Sequence, residues 1–448
     1  MMLNWLERRA HVLLIALVTV GVVLRLVLAV LSPQPYGYVF DLYHRAIQFL
    51  YTMGRLPQAK DCWVCAHPPL LTLLGWPFCW LGMSFGGLDP KVALRCVSVI
   101  PLACGAIAAV YSYRLLQLLR FAKPYRVLGA GLVLSFPCLF ISSYGIESDI
   151  LLTALMTVAL HGIMSYHLSL GATGPRHALG LGLLIGLALL TKYSAIVALA
   201  TAGAVIVISA FRRTPRRALA DGALLLATSL AICGWKYADN IAKFRTPFAA
   251  NGMAVTGFAV ADKQFHFDIY EFGSFRLRDT LALWGARAPD GKLTNFPVYY
   301  SVFTTLHAQA WTDMSFFSVP SRHGLKVPPY PRKRIPEWVL SSVLVLGIVP
   351  TVLALLGAAV TLRRRLLWPL PVYCLLGLGS YLWWFAAQET WSLKTKYILF
   401  LLPVYVCYTL LGIRCLRSWW APLGEAAALL LAGTIVAAHA FQLAFAIG

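Results

Sequence analysis

Long apolar runs separated by short basic clusters recur along almost the whole of this chain. An apolar run of about 18 or more residues, coiled as a helix, crosses the roughly 30 Å of hydrocarbon in a bilayer with its backbone polar groups satisfied internally. The pattern predicts helices at about 11–32, 92–113, 127–143, 149–167, 176–191, 193–211, 218–235, 338–362, 366–388, 397–413 and 421–447, eleven in all. Between the fifth and sixth the linker is so short that Lys192 falls in a tight turn at one membrane face. The stretch from Pro69 to Phe85 is also apolar, but Pro77 and the tryptophans Trp76 and Trp80 mark it as an interfacial or half-buried helix. Counting it as a span would invert everything that follows. The expected fold is an all-α polytopic membrane protein.

Composition agrees, because 59% hydrophobic residues with only 12% charged lies outside the range of soluble domains. A net charge of +21 would by itself suit nucleic acid, yet the basic residues sit in short clusters between spans, which is a topology signal. With a cytoplasmic N-terminus, Arg8, Arg9, Arg114, Arg120, Lys123, Arg126, Arg176, Arg212, Arg213, Arg216, Arg217, Arg363 to Arg365, Arg414 and Arg417 all face inward. The shorter outward segments hold only Arg45, Arg55, Lys60, Lys394 and Lys396. Membrane lipids are therefore the expected surroundings, and nucleic acid is not an expected partner. The segment from His11 to Ser32 is too long for a signal core and lacks a small-residue cleavage site, so it reads as the first span. The chain then divides into a transmembrane module at 1–235 with a first outward loop at 33–90, an extracytoplasmic loop or cap at 236–337, and C-terminal transmembrane helices at 338–448.

Polar chemistry concentrates at the outward ends. Asp41 follows the first span closely and suits a general base at the lipid–water boundary, or a helix cap paired with Arg45 four residues on. Glu147 and Asp149 stand at the entry of the fourth span, where Ser148 or Asp149 would also serve as the helix N-cap and acidic residues favour a helix N-terminus. Lys192, beside a span, either snorkels to the interface or meets an anion at membrane depth. Cys62 and Cys65 have no second Cys/His pair at zinc spacing and no surrounding βαβ pattern. In an oxidising outward compartment they suit a local disulfide, with two free thiols as the alternative.

The order of these pieces resembles the GT-C superfamily of membrane glycosyltransferases, in the branch of the protein O-mannosyltransferases and the lipid A aminoarabinose transferases. The resemblance is carried by Asp41 after the first span, Gly54-Arg55-Leu56-Pro57, and His67-Pro68-Pro69-Leu70 entering an interfacial helix. It continues through Tyr144-Gly145-Ile146-Glu147-Ser148-Asp149, Thr191-Lys192-Tyr193-Ser194, Gly234-Trp235-Lys236-Tyr237 with Asn240, and Lys394-Thr395-Lys396-Tyr397 before Leu402-Pro403. Asp41 is followed by Leu42 where the O-mannosyltransferases carry Asp-Glu.

What this resemblance implies is transfer of a hexosyl or pentosyl group from a polyprenyl-phosphate donor to a lipid, glycan or protein acceptor, in a bacterial inner membrane with the site facing the periplasm. Asp41, Glu147 and Asp149 would be the catalytic carboxylates, Lys192, Lys394, Lys396 and Arg45 would hold the donor phosphate, and His67 and Tyr397 would position substrate. A single displacement would invert the anomeric centre. A divalent cation stays open, since some relatives bind one through such oxygens and no compact spacing motif here demands it. Two other classes fit a many-span chain: a secondary transporter, and a non-catalytic scaffold for envelope assembly.

Overall fold

A computed structural model of the chain describes residues 2–31, 43–169, 174–212, 215–249, 302–312, 337–387 and 395–447, and among these every regular element is helical. Among the described residues, eight helical segments are long and apolar enough to cross a membrane: Trp5–Leu31, Val92–Leu118, Ser148–Leu168, Tyr193–Phe211, Pro215–Phe244, Ser341–Leu362, Thr395–Trp419 and Ala421–Ala446. In chain order the helices are α1 (Met2–Leu31), α2 (Tyr43–Met53), α3 (Leu70–Ser84), α4 (Pro90–Val97), α5 (Val99–Leu118), α6 (Lys123–Ser135), α7 (Pro137–Ser142), α8 (Ser148–Leu168) and α9 (Pro175–Leu189). They continue as α10 (Ile196–Arg212), α11 (Pro215–Phe244), α12 (Val302–Thr312), α13 (Glu337–Leu346), α14 (Ile348–Leu362), α15 (Pro369–Ala387), α16 (Leu402–Trp419) and α17 (Ala421–Ile447).

Several expected spans are reshaped, each for a local reason. The stretch expected as one helix at 127–143 is two, because Pro137 drives the residue before it out of the helical region and Phe136 is extended at φ −62°, ψ 114°. The break frees the Leu134 carbonyl, and bilayer-depth carbonyls need partners. Arg25 of α1 donates to it at 3.1 Å and Gln442 of α17 at 3.0 Å, so a guanidinium inside the first span is held by a carbonyl that a proline exposes. The span expected at 338–362 breaks at Gly347, where a Cβ would lie 2.5 Å from the indole of Trp311. The one expected at 176–191 is α9, whose 15 residues reach about 22 Å and fall short of a full crossing. The helix expected at 218–235 runs on without interruption to Phe244, so the division drawn after 235 falls inside α11. Its 30 residues extend about 45 Å, longer than a bilayer core of about 30 Å.

Of the expected cap at 236–337, the structure describes 236–249, 302–312 and 337. Residues 302–312 form a buried helix packed against α7, α13 and the 3-10 turn Thr395–Leu401. The rest of that region lies outside the described residues. At the centre of the bundle are α8 and the segment 395–419, whose span windows are 72% and 78% buried by protein alone. The outer helices instead turn Val12, Ile15, Val207, Leu355, Leu375 and Val436 outward, as a lipid-facing surface requires.

The closest helix contact joins α14 and α16. A Cβ at Gly357 would overlap the carbonyl of Tyr408, and one at Gly412 would overlap that of Leu353, so backbones meet where only hydrogen fits. Either Gly357→Leu or Gly412→Leu is expected to destabilise the purified protein by about 1–3 kcal/mol or more, read as a lowered melting temperature in detergent. The control is Gly433→Leu, where a Cβ meets nothing within 4 Å and the melting temperature should not move.

Candidate active site

The site begins at the first turn of α8. Glu147 occupies the N-cap with extended backbone (φ −127°, ψ 141°) and makes no side-chain capping bond. The N-cap expected at Ser148 or Asp149 thus falls one residue earlier, and the Glu147 carboxylate bonds elsewhere. Lys396 Nζ lies 3.0 Å from Glu147 Oε1, and Lys192 Nζ lies 2.6 Å from Asp149 Oδ1. All four side chains are nearly buried, with 3% and 2% of Lys396 and Glu147 exposed, and 14% and 0% of Lys192 and Asp149. Between the two ammonium groups stands Tyr397, its ring centroid 4.2 Å from Lys192 Nζ and 5.7 Å from Lys396 Nζ. Such cation–π contacts strengthen when water is excluded.

Each lysine is delivered by a break in helical structure. Lys192 is extended (φ −156°, ψ 148°) between α9 and the 3-10 turn Tyr193–Ala195. Lys396 lies in the 3-10 turn Thr395–Leu401, ahead of Pro403 in the first turn of α16. The buried helix α12 supports that turn: the Thr395 N–H donates to Gln309 at 2.8 Å and the Thr395 hydroxyl to the Leu306 carbonyl at 2.7 Å.

The first outward loop forms the adjoining wall. The Leu70 N–H donates to the Leu190 carbonyl at 2.9 Å, and the Tyr193 hydroxyl to the Ala66 carbonyl at 3.2 Å, which pins His67-Pro68-Pro69-Leu70 against the Lys192 turn. Asn240 of α11 donates to the Tyr193 hydroxyl at 2.9 Å. On α2, Tyr43 accepts a bond of 2.7 Å from the Ser148 hydroxyl, between the two acidic residues. The His67 ring lies between Tyr43 and Tyr193, with centroids 6.1 and 6.4 Å away. Cys62 and Cys65 are joined in a disulfide across the turn just before it, with Cα atoms 5.1 Å apart.

The sequence-predicted residues Glu147, Asp149, Lys192, Lys396 and Tyr397 are therefore brought together, with His67 on the neighbouring wall. Arg45 is not among them: it is exposed on α2, next to buried His44. Asp41 and Lys394 lie outside the described residues. Tyr43, Tyr193 and Asn240 were not singled out as site residues. A signal for part of this was present: the chain holds three Lys-Tyr dipeptides, at 192–193, 236–237 and 396–397, and the rings of Tyr193 and Tyr237 pack edge to face at 5.8 Å.

For a divalent cation the donor set is poor. Among the described residues no group of three or more His, Cys, Asp or Glu side chains converges, and the carboxylates of Glu147 and Asp149 are each already neutralised by a lysine. As held here the two acids do not fit a divalent cation.

No family model and no curated protein matches the chain. Among solved structures it is similar to the oligosaccharyltransferase of Archaeoglobus fulgidus, crystallised with a tethered acceptor peptide, at a TM-score of 0.50 and 14% identity over 98% of this chain and 56% of that one. It is also similar to ArnT from Cupriavidus metallidurans, at a TM-score of 0.39 both in the apo state (16% identity) and bound to undecaprenyl phosphate (15%), over 91% of this chain and 79% of that one. The likeness to the oligosaccharyltransferase shows the fold, which is the GT-C membrane fold that the loop motifs led us to expect. The chain spans little more than half the length of that protein.

His44 and Asp61, in the loop after the first span, are shifted. Burial alone would raise Asp61, but the Gln58 N–H at 2.7 Å and Arg55 at 3.0 Å hold its carboxyl below the usual value, fixing the turn after Gly54. Burial, reinforced by the charge of Arg45, pushes His44 down to about 4. Between about 6.5 and 4 the unfolded chain binds this proton and the folded chain does not, so His44 costs stability as pH falls through that window. The melting temperature should drop more steeply between pH 7 and pH 4.5 in the wild type than in His44→Gln, measured by thermal unfolding in detergent.

Proposed function

We propose that this chain is a membrane glycosyltransferase that moves a sugar from a polyprenyl-phosphate donor to an acceptor at the extracytoplasmic face, with inversion. The observation that carries the reading is the convergence of Lys192–Asp149 and Lys396–Glu147 around Tyr397 at the first turn of α8. Buried ion pairs are weak stabilisers, because desolvating both partners costs about as much as their attraction returns. Two of them side by side at one helix terminus are better explained by chemistry that needs cations at that depth. A departing phosphate is such a need. It develops charge where little water can reach it, and ammonium groups already in place stabilise it without reorganising.

In this reading the two carboxylates keep Lys192 and Lys396 charged and aimed while the site is empty. When the donor enters, its phosphate takes a share of both ammonium groups, and Tyr397 holds Lys192 from beneath. Asp41 is the base. In the sequence Asp41 stands two residues before Tyr43, whose hydroxyl meets Ser148 between the acids. Asp41 takes the proton of the acceptor hydroxyl, the oxygen bonds to the anomeric carbon, and the bond from that carbon to the phosphate oxygen breaks with its electrons going to phosphate. His67 and Tyr43 line the path of the acceptor. The sugar is a hexosyl or pentosyl group, the acceptor a lipid, glycan or protein, and the setting a bacterial inner membrane with the site facing the periplasm.

A single substitution at either pair would strand a buried charge and risk unfolding by about 3–5 kcal/mol, so the decisive variants remove both partners. Lys192→Met with Asp149→Leu, and Lys396→Met with Glu147→Met, should melt near the wild-type temperature yet lower transfer of radiolabelled sugar from a prenyl-phosphate donor by about 10²-fold or more. Folded double variants that transfer at the wild-type rate would mean that the pairs serve only packing. Separately, Asp41→Asn should lower turnover by about 10² or more with donor binding retained, as expected for loss of a general base. Turnover near wild type in that variant would remove Asp41 from the mechanism.

A further inference from the structure

Lys236 is 9% exposed and lines a cavity of ≈440 Å³ between the C-terminal turns of α11 and the segment 56–72. Among the described residues its ammonium makes no ion pair and no hydrogen bond. The nearest acid on its own helix, Asp239, is committed elsewhere, at 2.7 Å from Lys243. Lys243 and Asp239 line the same cavity, so two lysines and one aspartate leave this wall with one surplus positive charge. Trp235 and the prolines at 57, 68 and 69 supply apolar and aromatic surface around it. A cavity of this size, with a lining about equally polar and apolar and charged groups along one wall, has room for a small polar ligand. Asp239, paired at the surface with Lys243, offsets the Lys236 charge only in part, and an anionic ligand in the cavity supplies the remaining counter-charge.

The position of the cavity assigns its role. Tyr43 and His67 line it, and the same two residues form the wall of the candidate active site, with Tyr43 bonded to Ser148. Lys192 and Lys396 lie beyond that wall and do not line the cavity. We propose that the Lys236 cavity binds an acidic group of the acceptor, a phosphate or a carboxylate, and presents the acceptor hydroxyl past Tyr43 and His67. This inference rests on the transferase reading for the word acceptor, and on the cavity alone for the anion.

The test uses pyridoxal 5′-phosphate, an anionic aldehyde that forms an imine with a lysine amine, followed by borohydride reduction and peptide mapping of the full-length protein in detergent. Pyridoxal, which lacks the phosphate, is run in parallel, and exposed Lys123 at the opposite end of the bundle serves as reference. Lys236 should be labelled about tenfold more by the phosphate-bearing reagent than by pyridoxal, relative to Lys123, as expected for a charge-assisted contact. Protection by inorganic phosphate but not glucuronate identifies a phosphate site, and the reverse identifies a carboxylate site. Labelling that simply follows exposure, with Lys236 below Lys123 for both reagents and no protection by either anion, overturns the proposal. Because labelling needs no turnover, it fails independently of the transferase reading. Anion-dependent labelling in a protein that transfers no sugar would leave the anion site and overturn its assignment to an acceptor.

Discussion

A charge placed where water is scarce must be balanced, and in this protein the balance is struck between the first turn of α8 and two lysines that enter from elsewhere in the chain. The pairs Lys192–Asp149 and Lys396–Glu147 tie together segments 43 and 249 residues apart. Neither pair needs to stabilise the fold appreciably to dominate its geometry, because an unpaired partner would be far costlier than the pair. The turn at 191–195 and the turn at 395–401 are held open against helical continuation by that requirement, and Tyr397 fits between the two cations as a consequence. The neighbouring loop is then fixed by ordinary hydrogen bonds, from Leu70 to Leu190 and from Tyr193 to Ala66.

The same rule governs the backbone elsewhere in the bundle. Where Pro137 interrupts the helix, the carbonyl set free at Leu134 is met by Arg25 and Gln442, so a break that would be expensive in lipid becomes an anchor for α1 and α17. Where α14 and α16 meet, glycines at 357 and 412 bring backbones together without side-chain bulk, which is how helices pack tightly when the hydrophobic effect gives little preference for protein over lipid. Hydrogen bonds to a freed carbonyl and close backbone contact thus both help organise the interior, while the apolar side chains face both inward and outward.

Three Lys-Tyr dipeptides sort the cations of the outward end into two groups. Those at 192 and 396 carry acidic partners and surround one tyrosine ring; the one at 236 has a cavity of mixed polar and apolar lining in front of it and its acidic neighbour paired to another lysine. The difference is chemical. A cation already neutralised is held ready to be shared, whereas an unbalanced one calls for a counter-charge from outside. In the proposed reaction, with Tyr43 and His67 standing between the two groups, donor and acceptor would meet at the first turn of α8.

Hydrophobic periodicity and run length, read from the chain alone, were enough to establish a polytopic helical membrane protein, because the bilayer imposes a length and an apolar composition that few other structures share. Local order also identified the chemistry-bearing segments: Glu147 and Asp149 at a helix entry, Lys192 and Lys396 at helix breaks, Cys62 and Cys65 three residues apart. Run length could not show that 127–143 is divided, that α9 stops short of a full crossing or that α11 continues to Phe244, since a proline, a short linker and a helix extending past the membrane leave hydropathy almost unchanged. Nor could it match acid to lysine. Glu147 and Asp149 lie two residues apart, and which meets Lys396 and which meets Lys192 depends on the rotation of α8 against two distant turns. That α12 supports the Lys396 turn, and that Lys236 faces a cavity instead of an acid, were likewise settled only in three dimensions, because the energy of a buried charge depends on its neighbours in space.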